Sequence, residues 1–500
     1  MKRNKFSLSH YKLLSMNMGS LVPIGLQEVL PGDSFQQQTS ALIRCAPLLT
    51  PVMHPVHVRI HHWFVPHRLI WDDWEDFITG GPDGDDASDF PTITAPPSTG
   101  FAVGCLADHL GVPPGVPNLE VSALPFRGYA LIWNENYRDQ DLQTELVIDT
   151  SSGPDTTTNT TLQNTAWEKD YFNTSRPWEQ KGPSITVPIA GQAPLKGIFA
   201  VGANGVTAST GYTADGTTVP IGTRHWSTTQ WGITDQINSA GNAGTGGHLP
   251  NAYADLSAAT GISLNDLRES MALQRYMENR ARYGSRYTEY LAYLGVRSSD
   301  ARLQRPEYLG GGRQTIQFSE ILQTGPDGDG EGVGTLRGHG IGAMRSNRYR
   351  RFFEEHGYVL SFISVLPKSI YADGLPRTWN RRIKEDFWQQ ELQHIGQQEV
   401  LNKELYAKHS QPDGTFGYQD RYDEYRRQES FISGEFRTVL NDWHYARLFS
   451  TDPALNADFV KAVPTKRPNA VQVNDVLYIM ASHSIQARRM VAREGTSYIK

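Results

Sequence analysis

The run VHVRIHHWF, held between two prolines, constrains the fold of this chain more than any other stretch. Pro55 and Pro66 bracket the run. Because proline cannot donate a hydrogen bond inside a β-ladder, we expect one strand that is stopped at both ends. Side chains alternate between the two faces of a strand, and one face here is apolar except at His62, which predicts a core. The other face mixes cations, imidazoles and an indole, which suits a surface that meets another molecule: His57, Arg59, His61, Trp63 and Val65.

Two other apolar runs predict buried strands, HGYVLSFISVLP at 356–367 and VNDVLYIMAS at 473–482, and SALIRCA at 40–46 is a further candidate. The connections between them are long and rich in the 46 glycines and 29 prolines of the chain. Strands with such irregular connections favour an antiparallel β-sandwich with elaborate loops over a doubly wound parallel sheet. Three segments show helical periodicity: 129–137, 263–283 and 435–449.

Residues 151–250 differ in composition from the rest of the chain. They hold 18 threonines and only 11 charged residues, against 20% charged residues in the whole chain. Low charge with many Thr, Val, Ile and Trp residues argues against a solvated disordered tail. We expect a surface insertion of short strands, with a tip near 241–251, inside a single domain that spans residues 1–500. Four tryptophans are candidate anchors of the insertion: Trp167, Trp178, Trp226 and Trp231.

The patterns that would indicate an enzyme or a metal protein are weak. His57 and His61 share a strand face but lie four residues apart, too far to chelate one ion without a bend, and no acid or cysteine completes a known metal spacing. The acids of WDDWEDF at 71–77 are sequence neighbours, whereas a general acid and base need opposed positions. The glycines at 328–342 are not followed by the Gly-Lys-Ser/Thr of a phosphate loop. We therefore predict no catalytic residue, no cofactor and no metal.

The protein is expected to be soluble and to be made in a reducing compartment. Its two cysteines, Cys45 and Cys105, form no disulfide framework. No stretch approaches the roughly 18 apolar residues of a membrane span, and the basic N-terminus lacks the apolar run of a signal peptide. Because the net charge is −6, any contact with nucleic acid has to use a local basic patch or a basic partner.

Two sets of basic and aromatic residues are candidates for binding. The segment MRSNRYRRFF at 344–353 interleaves arginines with aromatics, which can neutralise phosphate and stack on unpaired bases. Subunit packing through Arg–carboxylate pairs is the favoured alternative there, since Glu354 and Glu355 follow at once. The predicted subunit-interface residues are Arg59, Trp63, Trp71, Trp74, Arg345, Arg348, Arg350 and Arg351. The candidates for nucleic-acid contact lie near the chain ends, where both roles stay open: Lys2, Arg3, Lys5, Arg488, Arg489 and Arg493.

Several long blocks, in one order along nearly the whole chain, resemble the major capsid protein of the microviruses, the small single-stranded DNA phages, and most of all its gokushovirus-type branch. Each block is idiosyncratic, so the resemblance is more specific than any short motif. The blocks are EVLPGDSF (28–35), HHWFVPHRLIWDDWEDFITGG (61–81), LPFRGYALIWNENYRDQDL (124–142), RYGSRYTEYLAYLGVRSSDARLQRPEYLGGG (282–312), EHGYVLSFISVLP (355–367), FGYQDRYDEYR (416–426) and SGEFRTVLNDWHYARLF (433–449). Residues 151–250 carry the least of the resemblance.

The resemblance implies a mainly β protein, an eight-stranded antiparallel viral jelly-roll barrel with very long loop insertions and a few short helices. It implies that many copies form a small icosahedral shell of the T=1 type around a circular single-stranded DNA genome. The protein would then reside in the virion after synthesis and assembly in the host cytoplasm. The implied partners are further copies of the chain, the DNA, a minor spike or pilot protein, an internal scaffolding protein, a small basic DNA-packaging protein and a host surface receptor, with no membrane.

A β-sandwich protein that binds or hydrolyses glycans is the rival interpretation, with tryptophans stacking on sugars. No opposed pair of acids supports it. If the chain is a capsid protein, the mixed face of the strand between Pro55 and Pro66 packs against an insertion or a neighbouring subunit. Residues 151–250 then either project to contact the host surface or lie between subunits at a symmetry axis.

Overall fold

A computed structural model describes residues 3–82, 85–183, 264–283, 304–325 and 332–493, together with residues 185 and 292 and four short strands between 195 and 254. The strands are β1 (Asn4–Ser7), β2 (His10–Met16), β3 (Val22–Val29), β4 (Ser34–Cys45), β5 (Val56–Pro66), β6 (Thr92–Thr94), β7 (Glu120–Ser122), β8 (Leu195–Lys196), β9 (Thr210–Tyr212), β10 (Thr218–Pro220), β11 (Tyr253–Ala254), β12 (Glu307–Leu322), β13 (Leu336–Arg345), β14 (Tyr349–Phe352), β15 (Gly357–Pro367), β16 (Gln397–Leu401), β17 (Thr415–Asp420) and β18 (Leu477–Arg489). The helices are α1 (Trp74–Thr79), α2 (Leu106–Leu110), α3 (Leu124–Asn136), α4 (Leu264–Tyr283), α5 (Asn402–Leu405) and α6 (Ala457–Val460).

Ten of the strands form one antiparallel sheet. Its main path has eight strands in the order β1-β18-β4-β13-β12-β5-β15-β3, while β2 pairs with β18 and β14 pairs with β4 beside this path. The first strand pairs with the last, so the two ends of the chain meet in the sheet. The predicted mainly β, antiparallel architecture is confirmed, and a curled eight-strand sheet of this kind is consistent with a jelly-roll barrel.

The sheet curls so that its two halves face each other. The first half contains β1, β2, β18, β4, β13 and β14, and the second half contains β5, β15 and β3. The long strand β12 links the halves, because its residues 317–322 pair with β13 while its earlier residues pair with β5. Apolar side chains from both halves meet in one core, where Ile43 and Ile479 of the first half pack with Val58 and Ile363 of the second. Burying both inner faces together is the main source of stability in such an arrangement.

The two halves differ on their outer sides. In the second half, Leu360 and Phe362 of β15 pack with Phe126 and Tyr129 of α3, and β15 is buried along nearly its whole length. In the first half, β18 alternates between buried residues and exposed or half-buried ones up to Arg488. A strand that is covered on both sides reads as a continuous apolar run, whereas a strand with one solvated side alternates. Among the described residues, the outer side of β1, β2, β18, β4 and β13 is therefore open.

A buried polar network crosses the core between the halves. His62 of β5 lies 2.7 Å through Nδ1 from the hydroxyl of Ser361 and 3.3 Å through Nε2 from the hydroxyl of Ser346. The Ser346 hydroxyl also accepts the backbone N–H of Thr39, whose own hydroxyl lies 2.9 Å from Nδ1 of His483. Nε2 of His483 donates to a carbonyl oxygen of β3, which fixes its proton on that nitrogen because a carbonyl can only accept. The hydrogen bonds satisfy the histidine that interrupts the apolar face of β5.

Burial keeps both imidazoles of this network neutral. It lowers the pKa of His62 to about 3, with the nearby His483 and His61 rings acting in the same direction. It lowers the pKa of His483 to about 4, and the stacked ring of His10 adds to this effect. Desolvation dominates in both cases because the interior penalises the charged form.

Most predicted elements are confirmed, with shifted ends. The strand between the two prolines is β5, which includes Pro66 as its last residue. The strand predicted at 473–482 starts later and runs to Arg489. The helix predicted at 435–449 is wrong: the segment forms two 3₁₀ turns, Gly434–Arg437 and Asn441–Trp443. Tertiary contacts override its periodicity, because Thr50 and Met53 of a distant segment donate hydrogen bonds to the carbonyl oxygens of Asp442 and Trp443 at 3.0 and 2.8 Å.

The chain divides into two compact units, Met1–Lys181 with Glu278–Lys500, and Gly182–Met277. The first part of the predicted insertion, 151–181, therefore belongs to the unit that holds the sheet, and Trp167 is buried there beside Leu366 and Ala462. Trp226 and Trp231 and the tip at 241–251 lie outside the described residues. None of the described helices is both long and apolar enough to cross a membrane.

Candidate nucleic-acid interface

Basic residues from the two ends of the chain meet on the open side of the sheet. Strands β1 and β18 are antiparallel, and their register places Lys5 opposite Arg488. Side chains at directly opposed positions of a ladder project from the same face, and both residues are exposed. The two ends were predicted separately as nucleic-acid contacts, and the structure joins them. Lys2 lies outside the described residues, and Arg493 is exposed beyond the end of β18.

Two further strands complete this surface. Ser34 of β4 lies opposite Arg488, and Arg350 of β14 lies opposite Gln36 on the same outward face. A pocket of about 370 Å³ is lined by Arg3, Lys5, Ser34, Arg350 and Arg488. We name the four cations of this pocket the terminal basic cluster.

Within the terminal basic cluster, contacts to neighbouring residues hold Arg3 in place. Arg3 donates through Nη1 to the carbonyl oxygen of Gly32 at 3.1 Å and to Ser34 Oγ at 3.2 Å, and its guanidinium lies 5.2 Å from the centre of the Phe352 ring. In the part of the chain that the structure describes, Lys5, Arg350 and Arg488 have no ion-pair partner. Four converging cations without an acid form a site for a polyanion such as a phosphate backbone.

Arg489, the neighbour of Arg488, has a different role. It projects from the opposite face and forms an ion pair at 3.0 Å with Asp33, which is fully buried, while its guanidinium lies 5.3 Å from the Phe35 ring. Burial raises the pKa of Asp33, and the Arg489 charge works against that rise. Arg489 therefore stabilises the turn before β4 and lies outside the terminal basic cluster, and its contact with nucleic acid stays a prediction.

The predicted subunit-interface residues on β5 and after it are engaged within the chain to different extents. Arg59 forms an ion pair with Glu168, and Trp63 donates its indole N–H to the hydroxyl of Tyr137 at 3.0 Å. Trp74 is half-buried and packs against His67. These contacts leave part of each side chain exposed, so their use at a subunit interface stays a prediction.

The interface prediction for Trp71 is wrong. Its side chain is 0% exposed and donates from Nε1 to Ser152 Oγ at 2.8 Å, so it belongs to the core of the subunit. The aromatic spacing around it predicted a contact surface because a sequence pattern cannot distinguish a neighbouring subunit from a neighbouring loop.

The remaining interface candidates lie around β13 and β14. Arg351 pairs with Glu307 at 3.1 Å, as expected for Arg–carboxylate packing but within one chain. Arg345 donates to Gln38 Oε1 at 2.8 Å. Arg348 is exposed, and Arg350 belongs to the terminal basic cluster. The prediction thus grouped residues that the structure assigns to different environments.

The histidines and acids that suggested other chemistry have structural partners. His54 contacts the carbonyl oxygen of Lys368 at 2.8 Å, and Asp73 accepts a hydrogen bond from Ser152 at 2.6 Å. Among the described residues there is no group of three or more histidines, cysteines or acids that could hold a metal ion.

The sequence did not predict that Arg350 lies beside the basic residues of the two terminal strands. It also did not predict that Ser34 and Phe352 hold Arg3 in place. The pairing of β1 with β18, which places Lys5 opposite Arg488 from the other end of the sequence, creates this arrangement. The available signal was the alternation of polar and apolar residues in both terminal segments, which predicts strands but not their partners.

Comparison with known proteins identifies the family to which the chain belongs. The family model described as capsid protein (F protein) matches residues 1–492. The chain belongs to this capsid protein family. The resemblance to the microvirus major capsid protein is confirmed, and with it the assignment to a structural protein of the phage virion.

Relatives in three phages support the same conclusion over nearly full length. Capsid protein VP1 of Bdellovibrio phage phiMH2K is 38% identical over 92% of this chain and 88% of its own length. Capsid protein VP1 of Chlamydia phage 1 is 32% identical over 94% and 91%, and that of Spiroplasma virus 4 is 31% identical over 92% and 87%. These relatives are structural capsid proteins, which points away from an enzyme and implies assembly of many copies.

Proposed function

We propose that this protein assembles with copies of itself into a small icosahedral shell of the T=1 type that encloses a circular single-stranded DNA genome. The observation that carries the proposal is the match to the capsid family along residues 1–492. The terminal basic cluster supports contact with DNA, because it gathers uncompensated cations in a chain whose net charge is −6. A spike or pilot protein, a scaffolding protein, a basic DNA-packaging protein and a host receptor are further partners that the resemblance to microviruses implies.

Electron microscopy and nuclease protection test the proposal. Particles purified from cells that express the phage proteins should be closed shells of uniform diameter that protect circular single-stranded DNA from nuclease. Calibrated light scattering of the purified chain should show association under assembly conditions. A chain that stays monomeric under all conditions, with no particles in the cells, would refute the shell function.

We also propose that the insertion contacts the host surface. Its low charge supports this role, as does the separate compact unit Gly182–Met277. Deleting residues 241–247 should leave particle yield unchanged and reduce adsorption to host cells, measured by the loss of free phage with time. If adsorption does not change, the insertion has another role, such as an inter-subunit contact.

A further inference from the structure

The open side of the first half-sheet continues well beyond the terminal basic cluster. The ladder registers arrange its outward side chains in rows across β1 or β2, β18, β4 and β13 or β14. We name this surface the open sheet face. Its rows are Lys5-Arg488-Ser34-Phe352, Ser7-Gln486-Gln36-Arg350, Tyr11-Ser482-Ser40-Arg345, Leu13-Met480-Leu42-Ala343 and Ser15-Tyr478-Arg44-Ile341.

The open sheet face is positive although the protein is acidic. None of the positions in these rows is an acid, and most of the polar ones are Ser or Gln. The acids at its borders are Asp475, which accepts a hydrogen bond from Ser15 at 2.6 Å, and Glu307, which pairs with Arg351. Five of the positions are cations: Lys5, Arg44, Arg345, Arg350 and Arg488.

Two tyrosines on this face have exposed rings on which a base could stack. Tyr11 is 75% exposed and Tyr478 is 48% exposed. Tyr11 lies opposite Ser482, four residues along β18 from Tyr478, so the two are about 14 Å apart across one strand spacing. Leu13 and Met480 lie between them. Arg44 is next to Tyr478 in its row, and Arg345 belongs to the row of Tyr11.

We propose that the open sheet face binds single-stranded nucleic acid, with unpaired bases stacked on Tyr11 and Tyr478 and phosphates held by Arg44, Arg345 and the terminal basic cluster. The proposal rests on the proposed function and specifies how the genome is contacted. Stacking on exposed aromatic rings requires bases that are free of a duplex, and flat β-sheet surfaces with interleaved cations offer such a platform.

The charges favour a nucleic acid over a second copy of the chain. An interface between copies would desolvate five cations that have no acid among the positions of the face, and burying charges that stay unpaired is costly. A phosphate backbone supplies the missing negative charge and leaves the bases free for the apolar rows.

Fluorescence anisotropy of the purified full-length chain tests the proposal. The probes are a labelled 30-nucleotide oligo(dT) and a duplex of equal length. In the double variant Tyr11→Ala/Tyr478→Ala, affinity for oligo(dT) should fall at least about fivefold per tyrosine, with little change in its salt dependence. Affinity for the duplex should change less. The double variant Tyr11→Phe/Tyr478→Phe keeps both rings and should bind like the wild type.

Tyr425→Ala is the matched control, since Tyr425 is 49% exposed and lies outside the open sheet face. Unchanged oligo(dT) affinity in the alanine double variant would overturn the proposal. Loss of particle formation with unchanged oligo(dT) affinity would also overturn it and make the face a contact between subunits. The proposed function fails separately, if the wild-type chain forms no shells. If Lys5→Gln/Arg488→Gln binds oligo(dT) as tightly as the wild type, the phosphate contacts of this proposal are overturned.

Discussion

Replacing the two network histidines should make the subunit less sensitive to acid. His62 and His483 are fully buried and hydrogen-bonded through both ring nitrogens. The titratable or charged groups that face them are His61 and Tyr349 beside His62, and His10 and Lys12 beside His483. Glutamine preserves a polar side chain at each site without an imidazole that can titrate. We therefore consider the double variant His62→Gln/His483→Gln.

The magnitude follows from the lowered pKa values. An unfolded histidine has a pKa of about 6.5, whereas these two titrate at about 3 and about 4 in the folded state. Their stabilising contribution is complete above the unfolded pKa and is lost as the pH falls from there toward the folded pKa, because only the unfolded chain takes up the protons. At about 1.4 kcal/mol per pH unit, each histidine removes about 2 kcal/mol of unfolding free energy between pH 7 and pH 5, and the pair about 4 kcal/mol.

Urea unfolding of the dissociated subunit, followed by tryptophan fluorescence at pH 7, 6 and 5, measures this difference. The double variant should be less stable than the wild type at pH 7, since the network is disrupted, but its stability should fall by about 4 kcal/mol less on going to pH 5. His394→Gln is the control, because His394 is exposed, and it should follow the wild type. If the double variant and the wild type lose the same stability between pH 7 and pH 5, the assignment of neutral buried imidazoles is wrong.

Three further predictions use thermal or chemical unfolding and binding. Arg127→Met should cost about 3–5 kcal/mol of unfolding free energy, because it leaves the fully buried Asp155 without its ion-pair partner at 2.8 Å. Adding Asp155→Asn should recover part of the loss. Equal stability of the single and double variants would contradict this prediction. Gly357→Ala should destabilise the subunit strongly, since a Cβ there would lie 2.3 Å from a backbone carbonyl oxygen of β5, and wild-type stability would contradict the register of β5 and β15. Lys5→Gln/Arg488→Gln should lower the slope of log affinity for oligo(dT) against log salt by about 1.4, at about 0.7 per phosphate contact; an unchanged slope would exclude both residues from phosphate contact.

Strands were predictable wherever local chemistry alone determined them. Pro55 and the alternating run after it were sufficient to place β5, and the continuous apolar run of β15 correctly predicted burial on both sides. The periodicity around Val439 predicted a helix where none forms, and Val439 itself is 73% exposed. An apolar stripe stabilises a helix only if a partner covers it, and no local pattern contains that information.

The candidate site was predictable only in part, for a related reason. Composition indicated basic residues at both ends of the chain. Lys5 and Arg488 form one basic surface, however, only because the first and last strands pair. The same pairing separates Arg488 from Arg489, because adjacent residues of a strand project to opposite faces. Arg488 therefore faces solvent while Arg489 binds the buried Asp33, a distinction that a run of two arginines does not contain.

This alternation also determines how the interface can be probed. Phe6 of β1 is half-buried between the exposed Lys5 and Ser7, so β1 contributes packing from one face and charge from the other. Removing the N-terminal strand would delete the cations and at the same time expose the backbone edge of β18, which invites aggregation. A truncated chain that failed to bind DNA would therefore be uninformative. Substitution of the outward residues alone changes the charge of the surface while the ladder between the two ends of the chain stays intact.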